Sequence, residues 1–170
     1  MRWRRVVALV LVVASTTGYV AATQSQSVLV VADADTGTQL RTIPVDDGTT
    51  VTLTYTHSVE KTPVQDQYTV DGATLDNTRM RFKSYGWGLP ATANVTLQDG
   101  WFVYDPDRRY DAITIQTGTV AGHELVVDET TYDLVELADG DAVTITVERR
   151  PHLSILTRPT HDQHGLDVNQ

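Results

Sequence analysis

The chain contains no cysteine. No disulfide can brace it, and no lipid can be attached through an N-terminal cysteine. Lysine is nearly missing too: Lys61 and Lys83 are the only two. With 13 basic against 22 acidic residues, the formal net charge is −9. Phosphate backbones are held by clustered Lys and Arg, so this balance excludes nucleic acid as a natural partner. Past the first two dozen residues no segment has the apolar period of a helix. There is no Gly-x-Ser-x-Gly nucleophile signature. His, Asp and Glu show no tight ligand spacing that would name a metal ion. No cofactor is expected, and no residue is assigned as catalytic.

What is present begins with a head. Arg2, Arg4 and Arg5 precede an unbroken apolar stretch over residues 6–14, and small residues close the segment at 20–22. This is the layout of a secretory signal cleaved after Ala22. Uncleaved, about 17 residues would lie near the lower limit for a membrane span and form an anchor. Either way the body is expected outside the cytoplasm, secreted or held on the outer face of the membrane. The expected organisation is a signal peptide or anchor at 1–22, a single domain at 27–150, and a disordered tail at 151–170 that lacks periodicity. The body's wealth of Asp, Thr and Val, with little Lys, resembles proteins of extreme halophiles. There, molar salt screens self-repulsion over a Debye length of roughly 3 Å.

The body reads as all-β, a single antiparallel sandwich or flattened barrel of roughly 9–11 short strands. A hairpin is expected to turn at Asp35, Thr36 and Gly37, and a two-residue turn at Asp99-Gly100. "TYDLVEL" is expected to be a strand, and Met80 and Phe82 alternate with Arg79, Arg81 and Lys83.

Two stretches depart from plain strand chemistry. In "YTHSVEKTPV" (55–64), His57 arrives on the apolar face set by Val51, Leu53 and Tyr55, with Ser58, Glu60 and Lys61 close behind. A symmetric four-residue loop at "EKTP" would put His57 opposite Asp66, and Tyr55 opposite Tyr68. Paired Cβ atoms would then stand about 4.5 to 5.5 Å apart, close enough for an imidazole–carboxylate hydrogen bond. The second stretch is "SYGWGLP" (84–90). Gly86 and Gly88 let another backbone or a ligand approach closely, their amides could form an anion nest, Ser84 adds a hydroxyl and Trp87 a flat apolar surface. Each stretch also has a purely structural reading, as a sheet-closing pair and a glycine bend. The two lysines fall in or beside these stretches. The expected candidate site is therefore composite: His57, Ser58, Glu60, Lys61, Asp66, Ser84, Gly86, Trp87 and Gly88, meeting at one end of the sandwich.

At "HSVEKTPV" and "SYGWGLP" together the sequence resembles the domain of unknown function 1850 family. The pattern continues through Asp99 to Trp101 and "GHELVVDETTYDLVEL", so the resemblance spans about residues 28–147. Gln65 and Gln67 stand where members often carry a carboxylate. The resemblance supplies no activity. It implies an exported accessory domain, since such genes often lie beside tripartite TRAP-type transporters.

Three functions compete, with a metal site on His57, Asp66 and Glu60 a weaker fourth. A non-enzymatic module would hold a small anionic solute, or a TRAP-type transporter component, against His57, Lys61 and the glycine loop. A hydrolase would use a His57–Asp66 dyad with Ser58 or Ser84. A surface structural module would bind partners through its sheet edges.

Overall fold

The computed structural model describes residues 25–85 and 94–151. The expected head, most of the tail, and Gly86, Trp87 and Gly88 lie outside the described residues. Ser27–Arg149 form one compact unit, which holds every core residue among those described.

Alternating β-branched and polar residues favour pleated, half-buried strands, and twelve form among the described residues. In chain order they are β1 (Ser25–Asp33), β2 (Gln39–Val45), β3 (Thr50–Thr56), β4 (Pro63–Asp71), β5 (Thr74–Phe82) and β6 (Thr96–Gln98). They continue with β7 (Trp101–Tyr104), β8 (Arg108–Tyr110), β9 (Ala112–Gln116), β10 (Glu124–Val127), β11 (Thr130–Asp133) and β12 (Ala142–Pro151). Four of them make one sheet in the order β2-β1-β12-β9. The larger sheet runs β11-β10-β3-β4-β5-β7-β6, with β8 paired to β5. One apolar cluster draws on both sheets: Leu29, Ile43, Val143 and Ile145 from the small one, Val51, Leu53, Val70 and Leu125 from the large one. The architecture is a sandwich-like all-β fold, as the alternation predicts, with twelve strands among the described residues against the 9–11 expected.

Local chemistry explains the turns. Asp33 Oδ1 accepts from the amides of Asp35 and Thr36 and from the Thr36 hydroxyl, which closes the β1–β2 turn with Gly37 at φ 69°. Asp99 (φ 50°) and Gly100 (φ 75°) both lie in the left-handed region, as a two-residue hairpin loop demands. Gln98 and Trp101 are directly paired across it.

"TYDLVEL" departs from expectation. Only Thr130–Asp133 is strand; Leu134–Leu137 form a single helical turn, α1. Asp133 caps it, its carboxylate accepting from the amides of Val135 and Glu136 at 2.8 and 3.0 Å. A capping Asp competes with the strand ladder for those amides, and α1 then delivers Leu134 into the core at 0 % exposure.

Candidate functional site

The β3–β4 connection is longer than its sequence implies. Thr56 pairs with Pro63, Tyr55 with Val64, Leu53 with Asp66 and Val51 with Tyr68. The symmetric four-residue loop is therefore corrected to a loop of residues 57–62, and the ladder opposes Asp66 with Leu53, not His57. The cause lies in His57 itself. Its amide donates to Thr62 O at 2.8 Å, and its carbonyl accepts from Lys61 N at 2.9 Å. Its imidazole Nδ1 accepts from the amides of Val59 and Glu60 at 3.3 and 3.2 Å. One side chain thus satisfies amides that would otherwise seek a strand partner, and Lys61 takes φ 55° to turn the chain back. Ser58, Glu60 and Lys61 are exposed on this loop, while His57 is half-buried.

The register moves by an even number of residues, so Asp66 keeps its inward face. It meets a different partner there. Asp66 lies between Leu53 and Met80 across the central strands, and the hydroxyl of Tyr55, its diagonal neighbour, hydrogen-bonds to it. Burial pushes the Asp66 carboxyl up to about 6, against a smaller downward pull from the Tyr55 hydrogen bond. Tyr55 is raised in turn, first by burial and then by the Asp66 charge. Tyr68 is pushed up to about 12 by burial and Asp66, opposed by a hydrogen bond from Asn77.

His123 completes this cluster. It stacks on Tyr55 with ring centroids 5.4 Å apart, and burial lowers its pKa. Two buried atoms in the group, His123 Nδ1 and Asn77 Oδ1, have no hydrogen-bond partner. Sequence reasoning missed His123 and Asn77. His123 precedes Glu124, which pairs with Thr54, so its closeness to Tyr55 follows only once β10 is placed beside β3. Asn77 faces inward because a bulge between the Gln67–Arg79 and Tyr68–Asn77 pairs switches the face of β5. No local pattern announces that switch.

The second stretch reaches the hairpin through Ser84, whose hydroxyl lies 2.8 Å from that of Thr62. Below this link Val64 and Phe82 are paired and fully buried. Phe82 packs on Phe102 and Tyr85, with centroids 5.5 and 5.2 Å away. So the two stretches adjoin. Lys83 is held at the Asp99-Gly100 turn, 4.4 Å from the Trp101 ring centroid, and donates to Gly100 O at 3.1 Å. Gly86, Trp87 and Gly88 lie outside the described residues.

The hairpin mouth is a donor-rich surface. With Nδ1 accepting two amides, a neutral His57 carries its proton on Nε2. Such a ring donates; it has no lone pair left with which to abstract a proton. Lys61 adds a cation, and Thr62 and Ser84 add hydroxyls. Among the described residues no three His, Asp or Glu side chains gather as a metal site, and no helix is long and apolar enough to cross a membrane.

Comparison with known proteins bears on the family at one place. Residues 51–134 match the family model of a domain of unknown function, DUF1850. The DUF1850 match supports the resemblance across the hairpin, Ser84, the Asp99-Gly100-Trp101 turn and His123. It is narrower than the resemblance, which spans about residues 28–147. No curated protein and no solved structure matches the chain.

Proposed function

We propose that this chain is an exported DUF1850 domain that works outside the cytoplasm as a non-enzymatic accessory module. It binds a small anionic solute at the mouth of the β3–β4 hairpin, in the setting of a TRAP-type transporter. The observation that carries this reading is the His57 turn. Its imidazole accepts through Nδ1, so a neutral ring holds its proton on Nε2, beside Lys61 and the Thr62–Ser84 hydroxyl pair. Carboxylates suit such a donor set, because charge-assisted hydrogen bonds to an oxyanion are the stronger kind. The same geometry weakens the hydrolase reading. The β3–β4 ladder gives Asp66 to Leu53 and Tyr55, so Asp66 is not set opposite His57 as the dyad requires.

Calorimetry of the exported domain with succinate and other small dicarboxylates tests the reading. Lys61→Gly is the apt variant, since glycine accepts φ 55° and the turn can persist without the ammonium group. Binding by the native chain that weakens in Lys61→Gly and His57→Ala supports the proposal. Silence from every dicarboxylate and amino acid contradicts it. Release of product from generic esters, abolished by His57→Ala, would instead restore the enzyme.

A further inference from the structure

The outer face of the large sheet carries an independent feature. After its bulge, β5 turns Arg79, Arg81 and Lys83 away from the core, while Met80 and Phe82 turn inward. Across the ladder Arg81 pairs with Gln65 on one side and Val103 on the other. The Arg81 guanidinium lies 4.7 Å and the Lys83 ammonium 4.4 Å from the centroid of the Trp101 ring. In a chain with 22 acidic residues, these two cations rest on an indole rather than on carboxylates. The carboxylates that share this face near β5 are otherwise engaged. Asp71 and Asp76 are both held by Arg109 at 2.6 Å, and Asp105 stands 3.8 Å from Arg79.

We infer that this face is a docking surface for an extended acidic segment of a partner protein. Three observations select that occupant. Side chains on one face of a strand recur about every 6.5 to 7 Å, so Arg81 and Lys83 match carboxylates at alternate residues of an extended peptide, with Arg79, already beside Asp105, at the next position. Gln65 and Gln67 flank the cations on β4. Each amide offers a donor and an acceptor, which suits a peptide backbone, whereas a phosphodiester has only acceptors. The net charge of −9 opposes any long polyanion, while a short acidic segment needs only the local cations. Trp101 keeps both cations in place by cation–π contact, so little side-chain freedom is lost on binding.

The test uses the whole chain and two synthetic peptides of one composition. One alternates Glu with Thr; the other carries its Glu residues in a block. Indole NMR of Trp101 reports binding. The alternating peptide is expected to bind at least about fivefold more tightly than the block, and Arg81→Gln/Lys83→Gln to weaken it about tenfold, with binding fading as salt rises. Equal binding of the two peptides, binding of neither, or displacement by a short single-stranded oligonucleotide or by heparin overturns the inference. If the double variant does not fold, the two-peptide comparison on the native chain still decides. The hairpin mouth uses other side chains, His57, Lys61, Thr62 and Ser84, so failure here leaves the solute reading standing.

Discussion

Asp66 is the residue on which the interior turns. Its folded pKa of about 6 lies above the ordinary 3.8 because burial disfavours the carboxylate. Below pH 3.8 the group is protonated in both states, and the protonated carboxyl contributes its full stability. Between 3.8 and about 6 the unfolded chain releases its proton first, so stability falls as pH rises through that window. A shift of this size corresponds to roughly 2 to 3 kcal/mol at neutral pH. Asp66→Asn should therefore raise the unfolding midpoint at pH 8 and change it little at pH 4. An equal loss at both values would mean that the carboxylate is needed for packing. Tyr55→Phe removes the hydrogen bond that lowers Asp66, so the Asp66 titration, followed by carboxyl carbon NMR, should move upward. His123 acts in the opposite sense. Its depressed pKa gives stability that is present above its unfolded value of about 6.5 and is lost as pH falls through the folded one.

At the scale of elements, the legible parts were those fixed by backbone conformation or strict alternation. Asp99-Gly100 announces a left-handed pair, and Met80 and Phe82 opposite Arg79 and Arg81 announce two faces. The β3–β4 loop was not legible, because a side chain, His57, takes amides that the count had assigned to the ladder. Parity survived the error, so Asp66 was read on the right face with the wrong partner. The bulge in β5 and the capped turn α1 escaped for a similar reason: each rests on one residue's competition with the ladder. Of the two stretches, Thr62 and Ser84 bond, Lys83 rests on Trp101, and Gly86, Trp87 and Gly88 lie outside the described residues. Two predictions belong here. Thr62→Val and Ser84→Ala should couple by about 0.5 to 1.5 kcal/mol in a double-mutant cycle followed by denaturant unfolding; additive effects would mean the two stretches are not held together. Asp133→Ala should cost about 1 kcal/mol in the same measurement by uncapping α1.

Over the whole molecule, charge and the sandwich core work against each other. One apolar cluster binds the two sheets, while a net charge of −9 repels itself. Screening should favour the compact state, so the melting temperature should climb as sodium chloride rises from about 0.1 M towards 2 M. A melting temperature indifferent to salt would mean that the acidic surface carries little strain. The central claim is narrower: His57 turns the hairpin as an acceptor through Nδ1 and meets an anionic solute as a donor through Nε2. Nitrogen-15 NMR of the imidazole tests it most directly. At about pH 8, where an ordinary imidazole is neutral, the spectrum should show the proton on Nε2 and a bare Nδ1, and succinate should shift the Nε2–H signal. A proton on Nδ1, or an Nε2–H signal that no dicarboxylate moves, would contradict the account.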